Sequence, residues 1–326
     1  MEIAELSDLL VWAAATTFAV AMIAFAIDLG RRTDERLEAR TEARATVGAG
    51  ASGAVAAPDG AGPAADVGPG GPARRRAAGI GLSTSWLGTA MLGVAILLRG
   101  LAAGRTPWAN MYEFTLVGSF VAMVVFLVWN LRRDVRFLGA FVTGLVTLFV
   151  VVGLNSFHVA ATGVQPALQN YWLVIHVGVA ITATGIFTVA FVLSVLQLLR
   201  DARETGSPFL TRPGFRWLDR MPAPAALESM SFRLNAVGFV MWTFTIIGGA
   251  IWAEDAWGRY WGWDPKEVWS FIIWVVYAAY LHARTTRGWS GRRAAWFVVV
   301  GYACVLFNFT GVNLIFNGKH SYSGIS

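Results

Sequence analysis

Residues 171–199 read YWLVIHVGVAITATGIFTVAFVLSVLQLL, a run without a single Asp, Glu, Lys or Arg. Roughly 17–25 consecutive apolar residues cross a bilayer as a helix. Inside lipid the backbone must satisfy its own hydrogen bonds, which a helix does. The run is therefore read as a membrane-spanning helix, long enough to tilt or to project past the bilayer. Working outward, seven further apolar blocks appear. Four precede it, at about Leu9–Leu29, Ile80–Leu98, Met111–Trp129 and Phe137–Leu154. Three follow, at about Leu234–Ile251, Pro265–Ala283 and Ala294–Ile315. The fold expected is all-α, a polytopic integral membrane helix bundle with about eight transmembrane helices.

Composition agrees. Of 326 residues, 56% are hydrophobic and only 14% are charged. A soluble domain of this length would need far more charge to cover its surface. Residues 1–30 are expected to form an N-terminal transmembrane helix. Glu2, Glu5 and Asp8 stand where a signal peptide carries basic residues, so the helix reads as retained. Residues 31–79 are expected to be a disordered cytoplasmic linker, because Arg40 to Ala78 is rich in Ala, Gly, Pro and Arg with almost no large apolar side chains. Residues 80–326 then form the main membrane domain. The polar loop 201–232 has room for a short interfacial helix.

Lys and Arg in alternate loops set the orientation. One set of loops carries Arg31–Arg76, Arg132–Arg136, Arg200–Arg233 and Arg284–Arg293, 21 basic residues in all. The other carries Arg105, Arg259, Lys266 and Lys319. The positive-inside rule puts the first set in the cytoplasm and both termini outside. The net charge of +6 is scattered through these loops and forms no contiguous basic face, which excludes nucleic acid as a partner. Cys304 is the only cysteine, so the chain cannot run two-cysteine thiol chemistry.

The stretch Ile251–Ser270, IWAEDAWGRYWGWDPKEVWS, forms an outer loop in this topology. It holds Trp252, Trp257, Tyr260, Trp261, Trp263 and Trp269, interleaved with Glu254, Asp255, Arg259 and Asp264. An interfacial aromatic belt accounts for one or two rings at a helix end. So many rings in one loop point instead to a platform for a planar conjugated ligand. Asp264-Pro265-Lys266-Glu267 also fits a helix N-cap, a proline at the first helical position and a capping-box acid.

Four histidines complete the inventory. His176 lies near the outer end of the fifth span and His320 in the outer tail, on the same side as the tryptophans. Neutral imidazole is a haem iron ligand, and two histidines flanking an aromatic platform can take the two faces of one iron. His282 lies 17 steps beyond Pro265, about 25 Å along a helix, so it cannot share that site. It is either an interfacial histidine or a second haem contact at the cytoplasmic side. His158 follows the fourth span. Haem carries two propionates, and Arg259, Lys266 and Lys319 lie beside the aromatic loop or His320 to pair with them. Arg105 reads as a cation of the solvated headgroup zone.

These residues resemble the CcsA family of cytochrome c biogenesis proteins, also called CcsB or ResC, the haem-handling half of the system II synthase. The likeness runs from about Ile80 to Ser326. It is carried by the WWD motif at Trp261-Gly262-Trp263-Asp264 with Pro265-Lys266-Glu267, by Tyr171-Trp172-Leu173-Val174-Ile175-His176 before it, and by Gly318-Lys319-His320-Ser321-Tyr322 after it. Pro107-Trp108-Ala109-Asn110-Met111-Tyr112-Glu113 is similar to the family's early outer loop. The resemblance implies that His176 and His320 ligate haem b, bound transiently at the extracytoplasmic face of the cell membrane, and that His282 belongs to an inner haem site. It implies one subunit of a holocytochrome c synthase, a haem lyase, inactive without a ResB-like (CcsB-type) partner. It also implies an apocytochrome c client with a C-x-x-C-H motif and a separate thiol reductant. His158 has no counterpart, and the first span and linker match the family poorly. Three alternatives remain beside this reading: a system I-type haem-delivery protein, a redox subunit with permanent haem or quinone, and a lipid or solute transporter.

Overall fold

The computed structural model describes residues 2–50, 72–163 and 170–320, and among these no strand forms. Among the described residues nine α-helices follow one another: α1 (Ile3–Gly50), α2 (Pro72–Ala103), α3 (Met111–Arg132), α4 (Gly139–Ser156), α5 (Gly178–Glu204), α6 (Pro224–Trp257), α7 (Pro265–Thr286), α8 (Arg292–Phe309) and α9 (Gly311–Ile315). The protein is a polytopic membrane helix bundle. Seven helical segments are long and apolar enough to cross a bilayer, among them Ile3–Gly30, Arg76–Ala103 and Leu173–Glu204. The expected span from Pro265 is present as α7 but is not one of the seven. Its ends carry Lys266, Glu267, His282 and Arg284, which shortens its apolar stretch.

Three boundaries differ from expectation, each for a local reason. Residues 31–50 and 72–79, placed in the linker, are helical, since Ala, Arg and Glu between Arg31 and Arg44 are strong helix formers; residues 51–71 lie outside the described residues. α6 runs on to Trp257, so Trp252 and Trp257 stand on a helix, and only 258–264 is loop. Gly258, at φ 68°, ends α6 in the left-handed region open to glycine. The last span breaks at Thr310 into α8 and α9. The polar loop 201–232 holds the 3₁₀ segment Pro213–Arg220.

α5 is the axis of the bundle. In its most apolar window 72% of residues are buried, against 22% in α6. One core packs α1 to α5 around Phe18, Phe25, Tyr112 and Phe126. The other packs α5 to α8 around Phe187, Trp242, Tyr277 and Tyr302. Phe187 of α5 stacks on Tyr277 of α7 at 4.0 Å between centroids. At the end of the bundle near His282, buried Glu228 of α6 pairs with Arg284 of α7 and accepts hydrogen bonds from Gln197 of α5 and the Gly291 amide before α8. A buried carboxylate needs such partners.

Small residues let membrane helices approach closely, and Gly185 of α5 is the sharpest case. A Cβ there would lie 2.7 Å from Val121 Cγ1 and 3.1 Å from the Ala122 backbone nitrogen of α3. Val121 is β-branched and stiff, so it cannot yield cheaply. Gly185→Ala is expected to destabilise the α3–α5 contact by about 1–3 kcal/mol, read as a lowered melting temperature in detergent. An unchanged melt would show that α3 and α5 separate freely.

Candidate functional site

The tryptophan segment is held from both ends. Asp264 is the N-cap of α7, and its Oδ1 accepts from the Lys266 amide at 3.0 Å. Glu267 completes the capping box and accepts from the amides of Asp264 (3.0 Å) and Gly262 (2.8 Å). Between the caps the chain turns so tightly that Trp263 sits at φ 57°, a strained conformation for a bulky residue. Its ring is 75% exposed and meets Trp261 edge-on at 5.9 Å. The Arg259 guanidinium folds over Gly262, where a Cβ would lie 0.9 Å from Nη1.

Asp264 also reaches the C-terminal segment. Its Oδ2 accepts from the Lys319 amide at 2.7 Å, and the His320 Nδ1–H donates to its Oδ1 at 2.9 Å. Burial opposes ionisation of Asp264, but the His320 ring and the two backbone amides outweigh it and hold the carboxyl down at about 2. Gly318 permits the approach, because a Cβ there would lie 2.5 Å from Asp264 Oδ2. Trp257 meets the His320 ring edge-on at 4.9 Å. Lys319 Nζ and the Arg259 guanidinium lie 5.5 and 5.9 Å from the Trp257 ring centre.

His176 arrives from the other side. It lies in a wide, π-type turn, Leu173–Val177, that leads into α5. Such turns re-aim side chains and gather at functional sites. The His176 Nδ1–H donates to the Thr245 carbonyl of α6 at 2.9 Å. Gly249 of α6 makes room for the ring, since a Cβ there would lie 2.6 Å from its Cε1. Trp252 flanks the ring at 5.7 Å. Trp172, the residue before the wide turn, donates its indole N–H to Asp255 at 3.1 Å.

His176 and His320 line one cavity, together with Trp252, Trp261, Lys266 and Glu267. The cavity holds about 1240 Å³ of atom-free space, including its open mouth. Measured to the centre of a water-sized sphere the space is about 200 Å³, so a porphyrin would fill the open mouth as well as the enclosed part. Among the described residues no group of three or more His, Cys, Asp or Glu is placed to hold a bare metal ion. Two imidazoles suit an iron whose equatorial positions a porphyrin already fills. In both histidines Nδ1 is the hydrogen-bonded nitrogen, which leaves Nε2 as the one that could bind a metal. The indole N–H of Trp252 is buried without a hydrogen-bond partner among the described residues.

Other expected residues take different places. Trp269 packs on Phe307 of α8 at 4.3 Å and does not line the cavity. Lys266 points inward and donates to the Asn308 carbonyl (2.6 Å) and Asn313 Oδ1 (3.2 Å). His282 is exposed near the far end of α7. His158 pairs with Asp8 of α1 at 2.9 Å. Arg105, read as a headgroup cation, is corrected. It is largely buried and bound to Glu113 at 2.7 Å, because buried Glu113 needs a counter-charge. The cavity also takes in Trp108, Asn110 and Phe114, which sequence reasoning left out of the site. Their only signal was the early-loop likeness around Pro107–Glu113. Ser321 and Tyr322 lie outside the described residues.

The family model for Cytochrome C assembly protein matches residues 108–320. A protein of Parasynechococcus marenigrum (strain WH8102) called cytochrome c biogenesis protein CcsA is 36% identical over 255 residues, covering 72% of this chain and 84% of its own length. A protein of the same name from Chlamydomonas reinhardtii is 33% identical over 238 residues, covering 71% of this chain and 65% of its own. Among solved structures, Cytochrome c Heme Lyase CcmF superposes on 99% of this chain with a TM-score of 0.64 at 15% identity. This chain spans 49% of that protein, and the likeness is one of fold. With the family model spanning most of the chain and a relative 36% identical that it covers to 84%, the chain belongs to the cytochrome c assembly protein family.

Proposed function

We propose that this protein acts in cytochrome c biogenesis by binding haem at the outer end of the bundle and presenting it for attachment to apocytochrome c. The observation that carries the reading is the pair of imidazoles, His176 and His320, lining one cavity with each Nδ1 anchored and each Nε2 available. The tryptophans supply the planar contacts, with Trp252 and Trp261 in the wall and Trp257 against His320. Arg259 and Lys319, around Trp257, are the cations for the propionates, and Arg259 Nη1 is buried without a hydrogen-bond partner.

Attachment adds each thiol of a C-x-x-C-H motif across a haem vinyl group. Sulfur bonds to one carbon, the proton goes to the other, and no outside oxidant is consumed. The chain's contribution is to hold its cargo in one orientation with the vinyl edge presented. Its single cysteine, Cys304 of α8, cannot keep a client's thiols reduced, so a separate thiol reductant is required. A ResB-like subunit is the partner we assign. Exposed His282 serves an inner haem contact on the route outward.

Visible spectra of the haem-loaded protein, purified with its partner, test the ligand assignment. His176→Ala and His320→Ala are expected to lose the low-spin bis-histidine spectrum and to regain it with added imidazole. His282→Ala is expected to leave that spectrum unchanged and to lower haem content. Low-spin haem that persists in both outer variants would exclude this ligand pair.

Asp264→Asn removes the anionic acceptor of the His320 N–H. It is expected to weaken haem retention roughly 10–100-fold, the usual effect of losing a partner behind a metal ligand, and to raise the haem reduction potential, since His320 becomes a poorer donor. A wild-type potential would separate Asp264 from the iron site. Gly249→Ala places a methyl against the His176 ring and is expected to reproduce a partial His176→Ala phenotype in the same spectra. A wild-type spectrum would show that the ring has room to shift.

A further inference from the structure

We infer that Glu113 and Trp108 are positioning residues for His176, acting through a buried charge cluster at the outer end of α2 and α3. This rests on the reading of His176 as an iron ligand.

Glu113 of α3 is fully buried. Its carboxylate accepts from Arg99 Nε (3.0 Å), from Arg105 Nη1 and Nη2 (2.7 and 3.0 Å) and from the Ala109 amide (2.9 Å). Asn110 caps α3 by accepting from the Glu113 amide at 2.9 Å. The loop between α2 and α3 therefore wraps around one carboxylate, and the Ala109 contact fixes the backbone beside Trp108. The Trp108 indole N–H donates to the Leu173 carbonyl at 3.1 Å, and Trp108 Cζ2 lies 3.8 Å from the Cβ position of Gly178. Leu173 and Gly178 bracket the wide turn that carries His176. One side chain thus bonds one end of that turn and lies beside the other. A wide turn inserted in a helix has little register of its own, so an outside grip sets the direction of its side chains.

The same cluster gives the N-terminal helix a part in the site. Asp8 of α1 lies 3.9 Å from Arg99, accepts from the Tyr112 hydroxyl at 3.2 Å and pairs with His158. Arg99 and Arg105 extend the cluster to the segment after α4, donating to the carbonyls of Val159 (2.5 Å) and Thr162 (3.0 Å). The two arginines balance the carboxylates of Asp8 and Glu113, so the cluster stays neutral while holding three segments of chain around Trp108.

The test uses the full chain, haem-loaded with its partner subunit, in three variants beside wild type. Trp108→Phe keeps the ring and removes only the indole N–H. Glu113→Gln removes the charge that organises the loop, and His176→Ala is the reference. Trp108→Phe and Glu113→Gln are each expected to lower haem retention roughly 10–100-fold and to shift the spectrum and reduction potential toward those of His176→Ala. Added imidazole should restore the spectrum in both, and the double variant should be no worse than the worse single one. Should Glu113→Gln fail to fold, Trp108→Phe decides alone. A wild-type spectrum and potential in Trp108→Phe, with His176→Ala altered, would overturn the inference and leave the ligand reading intact. Haem loss that imidazole does not restore would overturn it too, since Trp108 would then only hold the fold. An unaltered His176→Ala would overturn the ligand reading and the inference together.

Discussion

Asp264 accepts three hydrogen bonds at once, from the Lys266 amide at the start of α7 and from the Lys319 amide and His320 ring in the C-terminal segment. Capping α7 fixes where the tryptophan turn meets the bundle, and binding the tail brings His320 to that same place. A carboxylate buried to this degree is stable only when N–H donors replace the water it has lost, and the three donors keep it ionised. Glu267 holds the turn from inside through the Gly262 and Asp264 amides, which lets the chain sustain a left-handed Trp263 instead of relaxing it. The aromatic surface and the second histidine thus depend on one capping interaction.

The opposite wall answers to the low polarity of a membrane span. A histidine inside an apolar helix end needs an acceptor for one ring nitrogen, or its own helix is the poorer for it. Thr245 supplies its backbone carbonyl, and Gly249, one turn on, withholds the Cβ that would block the ring. The imidazole is held in one orientation by the two contacts together.

Much of this was legible in the sequence, and what was not has a physical reason. Apolar runs marked the spans, because a helix in lipid advertises itself by composition. Asp264-Pro265-Lys266-Glu267 announced the cap, because capping is local. The helical continuation of α6 to Trp257 was hidden, since tryptophans crowding a membrane surface look the same on a helix as in a loop. Contacts between distant segments were hidden as well. Nothing in Lys266 as a residue says that it turns inward to Asn308 and Asn313, or in Arg105 that it closes on Glu113. The wide turn at Leu173–Val177 leaves no composition signal at all, since its residues would suit an ordinary helix equally well.

Those hidden contacts also decide which charges remain for a ligand. Reading the outer loops alone gives four cations, three of them beside the aromatic loop or His320. The fold withdraws Arg105 into an ion pair and commits Lys266 to two oxygens of α8 and α9. Arg259 and Lys319 remain, both beside Trp257 and therefore beside His320. Arg259 pairs with Glu267 at 3.8 Å without a hydrogen bond between them, and its buried Nη1 makes no hydrogen bond among the described residues. Neither Arg259 nor Lys319 lines the cavity itself, so the positive charge in its wall comes from Lys266 and the positive charge on its rim from the pair around Trp257.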